Sequence, residues 1–258
     1  MAAETRANVI ALAKSLPARA WRNRPELWLL GGVFLTAMLL LAFGHIASEV
    51  ADGDLAKFDE SVLLALRPPG DISDPVGPPW LEEAARDITA LGSYTVLGII
   101  VFASIAYMIL MRRSVAALWV LASIAGGMFL SNALKAVFAR PRPEIVEPAA
   151  RVFSYSFPSG HATLSAVTFL TLGALLASQH NSWRLRIFFI GLAVILTILV
   201  GSSRVYLGVH YPTDVLAGWC VGAAWAALCW MVLRWLQREG TVEQPSDDAL
   251  DEGDRADG

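Results

Sequence analysis

Six stretches of this chain are too long and too apolar to lie on the surface of a water-soluble protein. They are Leu27 to Ala47, Leu91 to Met111, Ser114 to Leu134, Ala162 to Ser178, Ile187 to Ser203 and Val215 to Leu233. Each approaches the roughly 17 to 25 residues that a helix needs to cross the hydrocarbon of a bilayer. Backbone N–H and C=O groups find no water there, so each span must close its hydrogen bonds within its own helix. The expectation is one all-α integral membrane domain over residues 27–236, a bundle of six transmembrane helices. Composition agrees, with 55% of the residues apolar and only 17% charged.

The few charges orient the bundle. Residues 1–26 carry Arg6, Lys14, Arg19, Arg22 and Arg24 against two acids, and the excess of positive charge places this end in the cytoplasm. The apolar run that follows is longer than a signal-peptide core and lacks a clean small-residue cleavage site, so it reads as an uncleaved first helix. Arg112-Arg113, then Arg184 and Arg186, then Arg234 and Arg238 mark further inner boundaries, which makes both termini cytoplasmic. Residues 237–258 form an acidic tail, with eight acids and one Arg from Glu239 to Asp257; its charge and lack of apolar period suit a solvated, unfolded segment. Residues 49–89 connect the first two helices on the outside. Leu55, Phe58, Val62 and Leu66 recur there at helical spacing, and Pro68-Pro69-Gly70 stops the helix. That helix suits either a lid for lipid entry lying along the interface or a packed connector. Cys220 and Cys229 fall nine residues apart in the last span, so their Cα atoms are ~13 Å apart on opposite faces and cannot be bridged.

Against this background three stretches concentrate polar chemistry at helix ends on the outer side. The last is Ser203-Arg204 through Val209-His210-Tyr211-Pro212-Thr213-Asp214. An ionisable group at a membrane boundary is costly unless it is paired or functional. With a helix starting near Pro212, the four-residue spacing lets Asp214 meet His210 on one face, orient the imidazole and leave its other nitrogen free. The second is Phe157-Pro158-Ser159-Gly160-His161, where a loop turns into an apolar helix. The first is Lys135 through Arg140-Pro141-Arg142-Pro143, at the end of another. Basic residues outside, Arg140, Arg142 and Arg151 among them, run against the topology bias, and a phosphate site would explain them. His45 and His180 lie away from the cluster and receive no role. His210 and Asp214 could contribute to a metal site, but the surrounding cations would repel a divalent ion.

Taken together, Lys-x6-Arg-Pro, Pro-Ser-Gly-His and Ser-Arg-x5-His-x3-Asp resemble the signatures of the type 2 phosphatidic acid phosphatase (PAP2) family, in order and spacing, across Leu91 to Leu236. The resemblance implies a fold like that of the vanadium haloperoxidases and a lipid phosphatase active at the outer face of the cytoplasmic membrane. In that family pattern His210 attacks phosphorus to form a phosphohistidine, Asp214 orients it, and His161 protonates the leaving alkoxide. Lys135, Arg142, Ser159, Gly160 and Arg204 would bind the phosphate. Family spacing selects Arg142 over Arg140, for which a supporting place behind the site, a head-group contact or a solvated surface position are the readings, the last two favoured over direct catalysis. Phosphatidic acid, phosphatidylglycerol phosphate and undecaprenyl diphosphate are all family substrates, and the motifs do not separate them. The resemblance implies no cofactor and no metal, a bilayer and a lipid phosphate as partners, and no nucleic acid; oligomeric state stays open. The competing readings are a lipid-phosphate or anion transporter and a non-catalytic lipid-binding relative. The charges gather at helix ends on one side, without the midplane site and repeated halves of a transporter.

Overall fold

The structure, a computed structural model, describes residues 25–146 and 154–238. Residues 1–24 of the basic start, Arg151 and the acidic tail from Glu239 onward lie outside the described residues, and the last helix runs two residues past the expected end of the membrane domain. Among those described there are helices and connecting turns, and no strand. In chain order the helices are α1 (Pro25–Asp52), α2 (Ala56–Ala65), α3 (Pro79–Ala90), α4 (Tyr94–Leu110), α5 (Ser114–Phe138), α6 (Gly160–Ser178), α7 (Trp183–Tyr206) and α8 (Pro212–Arg238).

Five of them, α1, α5, α6, α7 and α8, are long and apolar enough to cross a membrane. The expected second span is different. Ser93 caps α4 by accepting a hydrogen bond from Val96 N at 3.2 Å, so the helix starts at Tyr94 and has 17 residues. It meets α3 at a 48° bend, and the two make a sixth crossing only as a broken pair. Gly92 sits in that bend because a Cβ there would lie 2.4 Å from Val200 Cγ1 and 3.3 Å from the His161 ring.

The centre of the bundle is α6, which packs against α5, α7 and α8 and is buried along most of its length. Lipid chains supply no hydrophobic drive between helices, so close contact of small residues does the work. On α8, Gly218 and Gly222 lie against α6: a Cβ on Gly218 would fall 2.9 Å from both Ala162 Cβ and Ser159 O, and one on Gly222 would fall 2.6 Å from Thr163 O. The same pairing of small with large lets Trp219 cover Gly201 and Trp225 cover Gly126 and Gly127. The two indole N–H groups donate to Thr197 O at 3.1 Å and Ser123 O at 2.7 Å. At the motif-bearing end, Phe157 is fully buried, stacked on Phe43 of α1 and edge-on to Phe138 of α5 at centroid distances of 5.9 and 4.9 Å. That aromatic triplet anchors the loop leading into α6.

The connector helix α2 is packed, and the residues it buries differ from those its apolar period suggests. Phe58 is exposed, whereas Asp59, Leu63 and Arg67 are buried, four residues apart on one face. Val62 and Leu66 flank this stripe and line an apolar groove with Val205, Pro212, Val215 and Trp219. Arg67 donates to Leu66 O and Tyr206 O at 3.0 and 3.1 Å, and Tyr206 donates to Val76 O at 2.8 Å, which ties the connector to the end of α7. The underside of the connector is thus charged as well as apolar.

Close approach of α6 and α8 has a measurable consequence. Gly222→Ala places a methyl group on a backbone oxygen that no rotamer can move, and should lower the thermal unfolding midpoint in detergent by the equivalent of about 1–3 kcal/mol. Gly98→Ala, whose Cβ meets nothing within 4 Å, should leave the midpoint unchanged or raise it slightly. Equal midpoints for the two variants would contradict this packing.

Candidate active site

Three chain reversals bring the polar motifs together. Helix α5 ends at Ala139, a non-glycine residue at φ 43°, whose N–H closes on Lys135 O at 3.0 Å. Pro141 and Pro143 then keep the chain from resuming a helix, and Arg140 reaches Asp214 while Arg142 reaches His210. Ser159 caps α6, and its backbone N–H donates to Asp214 O at 2.9 Å, so the second motif is fastened to the third. Helix α8 starts at Pro212, where a missing N–H has no helical partner to lose.

His210 is almost completely buried and its Nδ1 faces two oxygens, Asp214 Oδ2 at 3.3 Å and Ser156 Oγ at 3.2 Å. The carboxylate can only accept. Ser156 gives its hydroxyl hydrogen to the same Asp214 Oδ2 in a short hydrogen bond, so toward His210 it too can only accept. The proton of a neutral His210 is therefore on Nδ1, and the lone pair is on Nε2. Nε2 faces Arg142 Nη1 at 3.2 Å. Burial outweighs the carboxylate and pushes the His210 pKa from 6.5 down to about 3, which keeps the imidazole neutral at ordinary pH.

Asp214 is saturated with donors. Beyond Ser156, Oδ2 accepts from Tyr211 N at 2.9 Å, and Oδ1 accepts from Arg140 Nη1 at 2.7 Å. Arg140 extends the network through Nη2 to Asp59 Oδ2 at 2.8 Å, while Thr213 gives its N–H to Asp59 Oδ1 at 3.0 Å and its hydroxyl to Oδ2 at 2.5 Å. The Tyr211 ring lies against the Arg140 guanidinium, 4.2 Å from Cζ to centroid. Burial works against the charge on Arg140, but Asp214 and Asp59 together more than offset it and raise its pKa.

On the other side of His210 the charges are cationic. Arg142 is held by Val209 O at 2.6 Å and Ser154 O at 2.7 Å. Lys135 is buried and donates to Tyr155 O at 2.5 Å. Gly160 makes room for it, since a Cβ there would stand 3.3 Å from Lys135 Cε. Arg204, also buried, donates Nη1 to Thr89 Oγ1 at 3.0 Å, and its Nε meets no protein acceptor. His161, in the first turn of α6, stands near the cations Arg204, Arg142 and Lys135 and near the His210 imidazole. The Ser159 hydroxyl oxygen accepts from Ala162 N at 3.5 Å. The eight residues singled out from sequence thus gather in one place. Among the described residues no three His, Cys, Asp or Glu side chains converge as metal ligands would.

One sequence expectation is corrected. Arg140 is neither a solvated surface residue nor a free head-group contact: its side chain is 16% exposed and both ends of its guanidinium are committed to buried carboxylates. The spacing rule that selected Arg142 carried no information about a partner 81 residues upstream. Sequence reasoning also missed Asp59, Ser156 and Thr213. Asp59 borders the apolar stripe, one turn after Leu55; the available signal was its place, four residues before Leu63 and eight before Arg67, on the face the helix buries.

The chain is similar to known proteins in sequence and fold. Residues 116–238 match the family described as the PAP2 superfamily. The chain is 34% identical over 190 residues to phosphatidylglycerophosphatase B of Bacillus subtilis (strain 168), covering 71% of this chain and 87% of that protein. It is 39% identical over 101 residues to an undecaprenyl-diphosphatase of Sulfolobus acidocaldarius, but that match spans 36% of this chain and 44% of the relative. The crystal structure of a transmembrane PAP2-type phosphatidylglycerolphosphate phosphatase from Bacillus subtilis is similar with a TM-score of 0.71 at 28% identity, over 79% of this chain and 98% of the other. With a relative this similar over most of both lengths and several helices able to cross a bilayer, the chain belongs to the PAP2 superfamily and is an integral membrane protein.

Proposed function

We propose that this protein hydrolyses a lipid phosphomonoester or diphosphate through a phosphohistidine on His210. The observation that carries this is the fixed tautomer: Asp214 and Ser156 hold the proton on Nδ1 and turn the Nε2 lone pair toward Arg142. Lys135, Arg142 and Arg204, with the Ser159 hydroxyl and the N-terminal N–H groups of α6, would hold the phosphoryl oxygens and stabilise the charge that builds on them in transfer. Nε2 attacks phosphorus as the P–O bond to the lipid breaks, and the departing alkoxide takes a proton from His161. Water then attacks the phosphohistidine, His161 recovers its proton, and the P–N bond breaks to release phosphate.

Orientation follows from charge. Arg112 and Arg113 before α5, and Arg184 and Arg186 at the start of α7, lie at the ends of the helices away from the site; positive residues favour the cytoplasm. The reading therefore has six crossings, with α3 and α4 as one bent crossing, both termini inside and the site facing outward. No step needs a metal ion, because three cationic side chains already face the reacting group. Phosphatidylglycerol phosphate is the favoured substrate, since the relative matched over most of its length is named for it; phosphatidic acid and undecaprenyl diphosphate are the other members of the panel.

The test is phosphate release by purified protein in detergent, with chelator, against that panel. Activity should survive the chelator, and His210→Ala should reduce it by on the order of 10³-fold or more. Retained turnover in His210→Ala would sink the phosphohistidine.

Acidity gives a second test. The nucleophile must be neutral, and the pKa of His210 is lowered, so it stays competent as pH falls through 6.5 toward about 3. The pH profile of kcat/KM, which reports the free enzyme, should be bell-shaped with its acid limb below pH 6.5, and its alkaline limb should follow loss of the proton on the general acid. An acid limb at or above 6.5, or a monotonic profile, would contradict the division of roles between His210 and His161.

A further inference from the structure

Among the described residues, Asp59 is the one buried carboxylate that this mechanism leaves without a task. It is fully buried on α2 and accepts three hydrogen bonds: Thr213 N to Oδ1 at 3.0 Å, Thr213 Oγ1 to Oδ2 at 2.5 Å and Arg140 Nη2 to Oδ2 at 2.8 Å. Taking a carboxylate out of water costs several kcal/mol even after relaxation, and fastening a connector helix could be done with apolar residues. What distinguishes this carboxylate is its route to the reacting atoms. Arg140 binds Asp59 with one nitrogen and Asp214 with the other, at 2.7 Å, and Asp214 faces His210 Nδ1. Thr213 joins the same three groups, donating to Asp59 and accepting from Arg140 Nη1 at 2.9 Å.

Charge accounting sharpens the point. Behind His210 stand two buried carboxylates and one guanidinium, a net charge of minus one. Before it stand Lys135, Arg142 and Arg204, which a bound phosphate would neutralise. As Nε2 bonds to phosphorus the imidazole acquires positive charge, and the field behind it must be negative to stabilise that charge. Asp214 alone would supply this, but Arg140 cancels it. Asp59 cancels Arg140.

We propose that Asp59 is a positioning residue for phosphoryl transfer, which acts through Arg140 and Thr213 to hold Asp214 against His210 and to keep the buried cluster behind the imidazole at one net negative charge. The proposal rests on the phosphohistidine reading. It makes the connector between the first two membrane helices part of the catalytic apparatus, joined to α8 by contacts that span 154 residues of chain.

The experiment compares wild type, Asp59→Asn, Arg140→Gln and the double variant as full-length protein in detergent, with phosphatidylglycerol phosphate as the probe and His210→Ala in the same assay. Asp59→Asn should lower kcat by about 10- to 100-fold and leave KM within about twofold, because it acts on transfer and does not touch the phosphate cradle. Removing Arg140 as well returns the cluster to minus one, so the double variant should recover at least about fivefold over Asp59→Asn, a non-additivity that lost packing would not produce. Should Asp59→Asn not purify as a folded species, Arg140→Gln is compared with the double variant, which must again be the faster. A double variant no faster than either single one, or an Asp59→Asn protein with more than half of the wild-type kcat, overturns the proposal. Loss of activity in His210→Ala together with either result leaves the phosphohistidine standing; an active His210→Ala removes that reading itself.

Discussion

A carboxylate excluded from water at the mouth of a membrane helix sets the terms for this structure. Asp214 is fully buried, and a bare negative charge there would be prohibitively costly, so four donors converge on it: the Ser156 hydroxyl, Tyr211 N–H, the Arg140 guanidinium and the His210 imidazole. These donors come from three separate segments of chain, and satisfying Asp214 therefore dictates where those segments go. The loop before α6 must deliver Ser156, and the Phe43, Phe138 and Phe157 triplet holds it there. The Arg-Pro-Arg-Pro segment must pass beside α8. The connector between the first two helices must supply Asp59 to balance Arg140.

The result is a histidine between two opposite fields. Cations lie on its Nε2 side and a net negative cluster lies on its Nδ1 side. In a low-dielectric setting such fields act at nearly full strength, and because their sources are fixed by packing they need little rearrangement during the proposed phosphoryl transfer. The packing that fixes them is close contact of small residues. Gly218 and Gly222 let α8 approach α6 until Ser159 and Asp214 share a backbone hydrogen bond. Stability of the bundle and geometry of the site thus rest on the same few ångströms.

What could be read from sequence was local. Hydropathy marked five of the spans because a membrane helix writes its requirement into about twenty consecutive residues. The sixth was blurred by Ser93, whose capping bond starts α4 late and leaves α3 at an angle to it. The His210 and Asp214 pairing was legible because four residues is one helical turn. Arg140 was misread and Asp59 overlooked for the opposite reason: their meaning lies in each other, across 81 residues, and no period or spacing encodes it. Ser156 is similar, since a loop serine has no mark until the loop folds over a histidine.

The most direct measurement identifies the atom that carries the phosphoryl group. Protein mixed with a lipid phosphate, quenched in alkali within a turnover and digested, can be examined by mass spectrometry for the peptide containing His210 and by phosphorus NMR for the isomer of phosphohistidine. The account requires the phosphoryl group on His210 Nε2, since Asp214 and Ser156 commit the proton to Nδ1. A phosphoryl group on Nδ1, or on another residue, would contradict it.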